Sequence, residues 1–338
     1  MDPTKFPGVI RVGARGSELS QAQAHSVMER LRRLYPAMGF TFQAIKTSGD
    51  DPGAQPYGGK GVKGLFVKEI EAALLRGDID LAVHSAKDLA AEIPAGLTLG
   101  PAIERDEPWD VFIGPEGSGL ADLPEGSTIG TSSLRRQAFV RAFRPGLDIR
   151  PLRGNVGTRL KAVGSVFTGI ILAKAAITRL GLSLPFRVET LTPDVMPPSP
   201  GQGQLALELR DGDEALGELL RPLDHLGSAL AMVAERAFVG ELGLGCTEPI
   251  AAHCEIGNGP QLDMAAALVH AGRVVRERAS VSVESLARDP GGGIKFREPG
   301  EFARAEGLGR GVAAALRAKA PGLFPAVSRE AFGREPLG

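Results

Sequence analysis

The chain has 338 residues, 43% of them apolar and 23% charged, with 39 basic residues against 40 acidic ones and a formal net charge of −1. That balance excludes a general nucleic-acid coat, and the length is ample for a sizeable core divided among about two domains or three. No apolar stretch approaches the ~18 residues of a membrane span, and MDPTKFPGVIRVGARG lacks the basic and then apolar segments of a signal peptide, so a cytoplasmic protein without membrane contact is expected.

In chain order, Val9 to Ala14 reads as a strand, Glu18 to Leu34 as an amphipathic helix and Thr41 to Lys46 as a second strand. Leu65 to Arg76 reads as a helix and Leu81 to His84 as a buried strand. This alternation predicts an α/β layer with mostly parallel strands. The grammar restarts after Pro108: strands at Val111 to Ile113, Ser127 to Gly130, Asp148 to Leu152 and Ile170 to Ala173, with helices at Leu134 to Phe143 and Val156 to Val163. Prolines cluster at Arg105 to Pro108 and in MPPSPGQG (Met196 to Gly203), and a fresh strand, Leu205 to Leu209, follows. Two such crossings predict two α/β units joined by a hinge, with a cleft between them. From Ser228 the pattern changes to a long helix ending near Leu242, then strands at Ile250 to Ile256, Gln261 to Val269 and Arg273 to Val283, and a closing helix at Phe302 to Lys319. This is a third, α+β unit, with a loose loop at Asp289 to Gly293 and a tail after Pro325.

Charge is distributed unevenly. Between Thr131 and Lys161 stand Arg135, Arg136, Arg141, Arg144, Arg150, Arg153, Arg159 and Lys161 against a single acid, Asp148, a local charge of +7. Such a cluster repels itself unless an anion neutralises it. An exposed basic face is the ordinary meaning of a charge run. Here, however, the residues form two knots at loop-to-helix junctions, GTSSLRRQ and LRGNVGTRL, and arginine, which grips planar carboxylates or phosphates bidentately, dominates lysine. Thr131, Ser132, Ser133, Gly154, Asn155, Gly157 and Thr158 are small turn-forming residues that bring backbone N–H groups to the same ligand. The combination points to a site for several carboxylates or phosphates.

Other motifs are weaker. Gly59, Gly61 and Gly64 spell GxGxxG, but Ser48 to Gly58 separates them from the preceding strand, so a mobile, lysine-bearing loop is expected rather than a dinucleotide site. LAVHSAKDLA runs a short apolar strand into Ser85, Lys87 and Asp88 at its carboxyl end, where α/β sheets bind ligands; a capping serine and a surface ion pair would read the same way. Cys246 and Cys254 form no CxxC, and the five histidines show no paired-ligand spacing, so no metal site is expected.

Together VHSAKD, GTSSLRRQ, LRGNVGTRL, PSPGQGQLALE and LGCTEPIA, in this order, resemble the porphobilinogen deaminase (hydroxymethylbilane synthase) family of tetrapyrrole biosynthesis, from about Arg11 to about Ile256. The resemblance implies a monomeric transferase that condenses four porphobilinogen molecules head to tail, with release of ammonia, on a dipyrromethane cofactor attached covalently to Cys246. Its fold would be α/β with three domains. Two lobes like those of type II periplasmic binding proteins, residues 1–104 with 202–223 and residues 105–201, would flank a hinged cleft. A smaller α+β domain, residues 224–338, would carry the cofactor cysteine. Asp88, Arg15 and Lys87 match the catalytic positions. Ser17, Lys87, Asp88, Thr131, Ser132, Ser133, Arg135, Arg136, Arg153 and Gly154 match cofactor contacts. Arg15, Ser17, Arg153, Arg159, Arg179 and Gln202 match substrate contacts, and Lys60, Lys63 and Phe66 match a lid loop.

The chemistry agrees with that assignment. A thiolate is the natural nucleophile for the electrophile formed when porphobilinogen loses ammonia. The acetate and propionate on each pyrrole explain the arginines, and a carboxylate at Asp88 can accept pyrrole N–H bonds and stabilise the cation. The chain departs from the family in its lid spacing (Lys60 and Lys63 three apart), in Gln204 where GQGA is usual, in Leu244 of LGC, and in Thr168 where an acid is often found. The competing readings are a non-catalytic two-lobed protein that holds a small anion, for which Cys246 would have no purpose, and a nucleic-acid binder, for which two tyrosines and one tryptophan offer little stacking surface.

Overall fold

The computed structural model describes residues 8–50, 67–243, 249–284, 299–321 and 323. β1 (Val9–Arg15) leads into α1 (Glu18–Leu34), which starts where the Ser17 hydroxyl accepts the Ser20 N–H. Its stripe of Ala24, Val27, Met28 and Leu31, spaced i, i+3, i+4, i+7, is buried against the sheet, the three larger side chains worth about 1.5–3 kcal/mol each. β2 (Gly39–Ile45), α2 (Lys68–Arg76), β3 (Leu81–Ser85) and β4 (Leu97–Leu99) complete the first pass. The chain then crosses to a second lobe: β5 (Asp110–Gly114), β6 (Thr128–Gly130), α3 (Leu134–Phe143), β7 (Asp148–Arg150), α4 (Val156–Lys161), β8 (Gly169–Ala173), α5 (Lys174–Arg179) and β9 (Arg187–Thr190). It returns through β10 (Leu205–Arg210) and α6 (Glu214–Leu220). It ends in α7 (Leu226–Leu242), β11 (Ile250–Ile256), β12 (Gln261–His270), β13 (Arg273–Ser282) and α8 (Pro299–Lys319).

The two lobes share one plan. The first sheet runs β2-β1-β3-β10-β4 and the second β7-β6-β8-β5-β9. In each, two pairings are parallel and two antiparallel; the single reversed strand is β10 in the first sheet and β5 in the second, and the other four strands of each sheet run the same way, as the expected mostly parallel layer requires. The reason lies in the crossings. The home strands of each lobe end at the hinge, whereas β10 and β5 enter from it, so each starts beside a strand's end: Leu205 faces Ser85 and Asp110 faces Ala173. Entering from the hinge forces the opposite direction.

The third unit is an antiparallel β11-β12-β13 sheet with α7 and α8 on one face, closed by Leu230, Phe238, Leu262, Leu268, Val312 and Leu316. Its other face, through Ala251, Ala267, Val269 and Val274, packs on Phe112 and Phe139 of the second lobe. Met232 and Ala229 of α7 join Ala86 and Leu89 of the first lobe. All three units therefore meet around the hinge. The expected helix from Leu65 begins, within the described residues, at Lys68, and the one expected to reach Val163 ends at Lys161. The loop at 289–293 and the tail after Pro325 lie outside the described residues.

Candidate active site

The two crossings form the floor of the site. They pack against each other: the Asp106 backbone N–H donates to Gly203 O (3.1 Å) and the Arg105 side-chain Nε to Gln202 O (2.8 Å). Gly201 and Gly203 both have positive φ, and a Cβ on Gly201 would stand 2.8 Å from the Lys87 nitrogen, while one on Gly203 would strike the Asp106 carbonyl. This close approach explains the PGQG string. It presses the second crossing onto the Ala86–Asp88 turn that follows β3.

Above the floor runs a buried charge network. Asp110, fully buried at the start of β5, receives Arg135 Nη2 at 2.6 Å and Arg136 Nη2 at 2.7 Å. Arg135 also donates to Pro197 O and Arg136 to Ile171 O. The anion that the arginine cluster demands is thus in part internal, since Asp110 neutralises one of these two charges. Burial alone would raise its pKa, but the two guanidiniums outweigh that and hold the carboxyl at about 2. Gln202 Nε2 donates to the same carboxylate (3.0 Å) and to Pro108 O, and its Oε1 accepts from Lys87 Nζ (3.2 Å). The network therefore spans both lobes. Burial, and then Arg136, push the Lys87 pKa down to about 8, with Asp88 and Asp110 pulling the other way.

Where the three units meet lies a cleft of about 640 Å³, part of it open solvent, lined by Lys87, Ser133, Arg135, Glu235 and Arg236 over apolar Leu89, Met232, Val239 and Ile250. Glu235 is its only carboxylate among the described lining residues. That carboxylate is saturated: it accepts from Arg105 Nη1 (2.6 Å) and Nη2 (3.2 Å), from Gly201 N–H and from Cys254 N–H. Cations in the cleft outnumber free anions.

The other expected residues distribute around this centre. Arg15 ends β1, and β1 runs parallel beside β3, so Arg15 and Asp88 share one edge of the sheet. Asp88 is half-buried, and nothing among the described residues donates to it; it does not line the cleft itself. Ser17 and Ser133 cap α1 and α3, Thr131 Oγ1 accepts the Ser133 N–H, and Ser132 Oγ donates to Leu152 O. Arg153 and Gly154 are exposed, and Arg159 Nε donates to Gly154 O. Arg179 sits at the hinge, where Nε donates to Asp106 (2.7 Å) and Nη2 to Gly203 O. Cys246, Lys60, Lys63 and Phe66 lie outside the described residues. Asp110 was missed in the sequence; an acid heading the apolar run VFIG was the available signal, because a buried carboxylate demands partners.

Residues 10–218 match the family model described as "Porphobilinogen deaminase, dipyromethane cofactor binding domain". The chain belongs to the porphobilinogen deaminase family. It is 42% identical to a porphobilinogen deaminase of Thermus thermophilus over 89% of this chain and 93% of that one. It is 46% identical to one of Syntrophotalea carbinolica over 73% and 78% respectively. A chloroplastic porphobilinogen deaminase of Euglena gracilis is 43% identical over 76% of this chain and 55% of its own length. Among solved structures, the fold is similar to the Bordetella pertussis BvgS periplasmic VFT2 domain at 14% identity, with 63% of this chain and 85% of that one covered and a TM-score of 0.38. A probable amino-acid ABC transporter extracellular-binding protein of Bacillus subtilis gives 10% identity, 64% and 90% coverage and a TM-score of 0.41. Within the porphobilinogen deaminase match fall the β3 turn, both arginine knots and both crossings.

Proposed function

We propose that this chain is a hydroxymethylbilane synthase, a transferase that joins four porphobilinogen molecules head to tail, releasing ammonia each time, on a dipyrromethane carried by Cys246. The observation that carries the reading, given the family, is the cleft's donor set. Lys87, Arg135, Arg236 and Ser133 point to carboxylates, the one lining carboxylate is already saturated, and the apolar floor suits flat rings. Thr131, Ser132, Arg136, Arg153, Gly154 and Ser17 would extend that grip beyond the cleft. Val239 and Ile250, on the elements that flank residue 246 in the chain, line the same cleft.

When bound, the dipyrromethane supplies the nucleophilic pyrrole carbon that receives the first substrate unit. The protein's part is to hold acids and stabilise a cation. Arg15, Arg153 and Arg159 would orient the acetate and propionate groups, and Asp88, with acceptor capacity unspent, would take a ring N–H and stabilise the positive charge left when ammonia departs. Arg179 and Gln202 would act through the hinge and the Lys87–Asp110 network that they complete. The same proposal divides the chain into 1–104 with 202–223, 105–201 and 224–338, and takes it as a cytoplasmic monomer, which sedimentation of the purified protein would check. No helix among the described residues is long and apolar enough to cross a membrane.

The test is the intact mass of the purified protein, before and after brief exposure to porphobilinogen, with Cys246→Ser beside it. The expected result is a mass excess of one dipyrromethane, absent from the variant, followed by a ladder of pyrrole-sized additions. A wild-type chain that carries nothing and gains nothing would overturn the proposal in favour of a two-lobed anion-binding protein.

A further inference from the structure

The second crossing makes a tight turn from Ser199 to Gln202, closed by the Gln202 N–H on the Ser199 carbonyl (3.0 Å), with Pro200 and a positive-φ Gly201 as the central pair that a type II turn favours. The chain on both sides of Ser199 is pinned. Arg135 holds the Pro197 carbonyl, the Ala252 N–H holds that of Pro198, and Glu235 accepts the Gly201 N–H. Pro200 also confines the Ser199 backbone to extended conformations, so the fold itself aims this side chain. The Ser199 hydroxyl makes no hydrogen bond among the described residues, yet it is open to solvent, unlike the unpaired side-chain atoms of the core. Ser199 is half-buried and lines the cleft, whereas Pro197 and Pro198 are buried and do not.

All three units converge here. Lys87 lines the cleft from the first lobe, Ser133 and Arg135 from the second, and Arg236 from the third, one position after the carboxylate that holds the turn. Arg236 has one hydrogen bond among the described residues, Nη2 to Ala91 O (2.6 Å), and no carboxylate bonds it. A hydroxyl can donate or accept, but the groups that these cations draw in are ionised acids, which only accept. We infer that the Ser199 hydroxyl donates a hydrogen bond to a carboxylate of the dipyrromethane held in this cleft, making Ser199 a cofactor-binding residue that adds a neutral, rigidly placed donor to the cationic grip. The inference rests on the function proposed above. It also links that grip to the hinge, because the turn that carries Ser199 is the one Glu235 holds.

The test uses protein made in cells unable to form porphobilinogen, then exposed to porphobilinogen over a range of concentrations and followed by intact mass and by thermal melting. Ser199→Ala removes one oxygen that has no partner in the protein, so the unloaded variant should melt within about 1 °C of wild type. It is expected to need about tenfold more porphobilinogen for half-maximal acquisition of the dipyrromethane mass, the worth of a hydrogen bond to a charged group. Its rise in melting temperature on loading should be smaller by about 2 °C. Ser199→Thr keeps the hydroxyl on a backbone that suits a β-branched residue and should restore both readouts. Equal concentration dependence and equal melting gains in wild type and Ser199→Ala would overturn the inference while leaving the proposed function intact. So would an unloaded Ser199→Ala that melts several degrees lower yet gains as much on loading, since the hydroxyl would then serve the fold. A wild-type protein that gains no mass would instead sink the function on which the inference rests.

Discussion

Asp88 is a half-buried carboxylate with no donor among the described residues, one position from an amine whose charge is held near its titration point. A structural acid would be spent on a cap or an ion pair, as Asp110 is. Asp88→Asn should therefore leave the melting temperature within about 1 °C, the margin of a surface substitution, and lower turnover by about 10²–10⁴-fold, the span of one general acid–base or electrostatic group. Turnover within twofold of wild type would refute its role. Lys87 supplies a pH signature. Folding lowers its pKa to about 8, so below pH 8 the fold carries the cost of a desolvated charge, and that cost is relieved as pH rises from 8 towards the ordinary 10.5. Lys87→Met should be more stable than wild type in urea at pH 7, with most of the gap closed by pH 10; an unchanging gap would contradict this. Carboxylate ligands favour the charged form, so their binding should weaken above pH 8 in wild type and lose that dependence in the variant. At this scale the sequence made the cationic site legible but not its internal counter-ion. Asp110 lies 25 and 26 positions upstream of its two arginines, and counting charge within a window misses what the fold brings from outside.

Elements whose identity is written locally were legible, and those defined by partners were not. Ser17 and Ser133 announce α1 and α3, and both helices span the residues that the pattern indicates. The direction of β5 and β10 is set by entry from the hinge, which no local pattern encodes. β4 and β9 have three and four residues and lack a motif beside them, α5 has six residues and no side-chain cap, and α6, though capped by Asp213, spans only seven. The joint between β5 and α3 tests the buried pair directly. Asp110→Asn keeps the shape but leaves two guanidiniums buried without their counter-charge, at a cost of about 3–5 kcal/mol in urea unfolding at pH 7. Because Asp110 is held at about 2, its contribution is complete above the ordinary carboxylate value of 3.8 and disappears as pH falls through 2. The gap between wild type and variant should stay level from pH 7 to about 4 and narrow below that, and a gap that persists at pH 2 would show that packing rather than charge is responsible.

At the scale of the whole molecule, one carboxylate ties the three units together. Glu235 belongs to α7 of the third unit and receives Arg105 of the first crossing, Gly201 of the second and the Cys254 N–H of β11. Both crossings are pinned to one point, so the lobes cannot shift past the third unit without breaking the three contacts from Arg105 and Gly201. Any closure of the lobes about the hinge would leave this point fixed, since the arginine knots belong to the second lobe and the Lys87–Asp88 turn to the first. Glu235→Leu fills the volume but takes the counter-charge from the Arg105 guanidinium, which keeps only the Gln202 and Cys254 carbonyls, and leaves two backbone N–H groups without their acceptor, a loss of about 3–5 kcal/mol. The loss should also change the form of unfolding: with the pin removed, the third unit should melt apart from the lobes, and calorimetry should resolve two transitions where wild type gives one. A single transition at an unchanged temperature would mean that the apolar contacts of Ala229 and Met232 with Ala86 and Leu89 couple the units without help from the carboxylate.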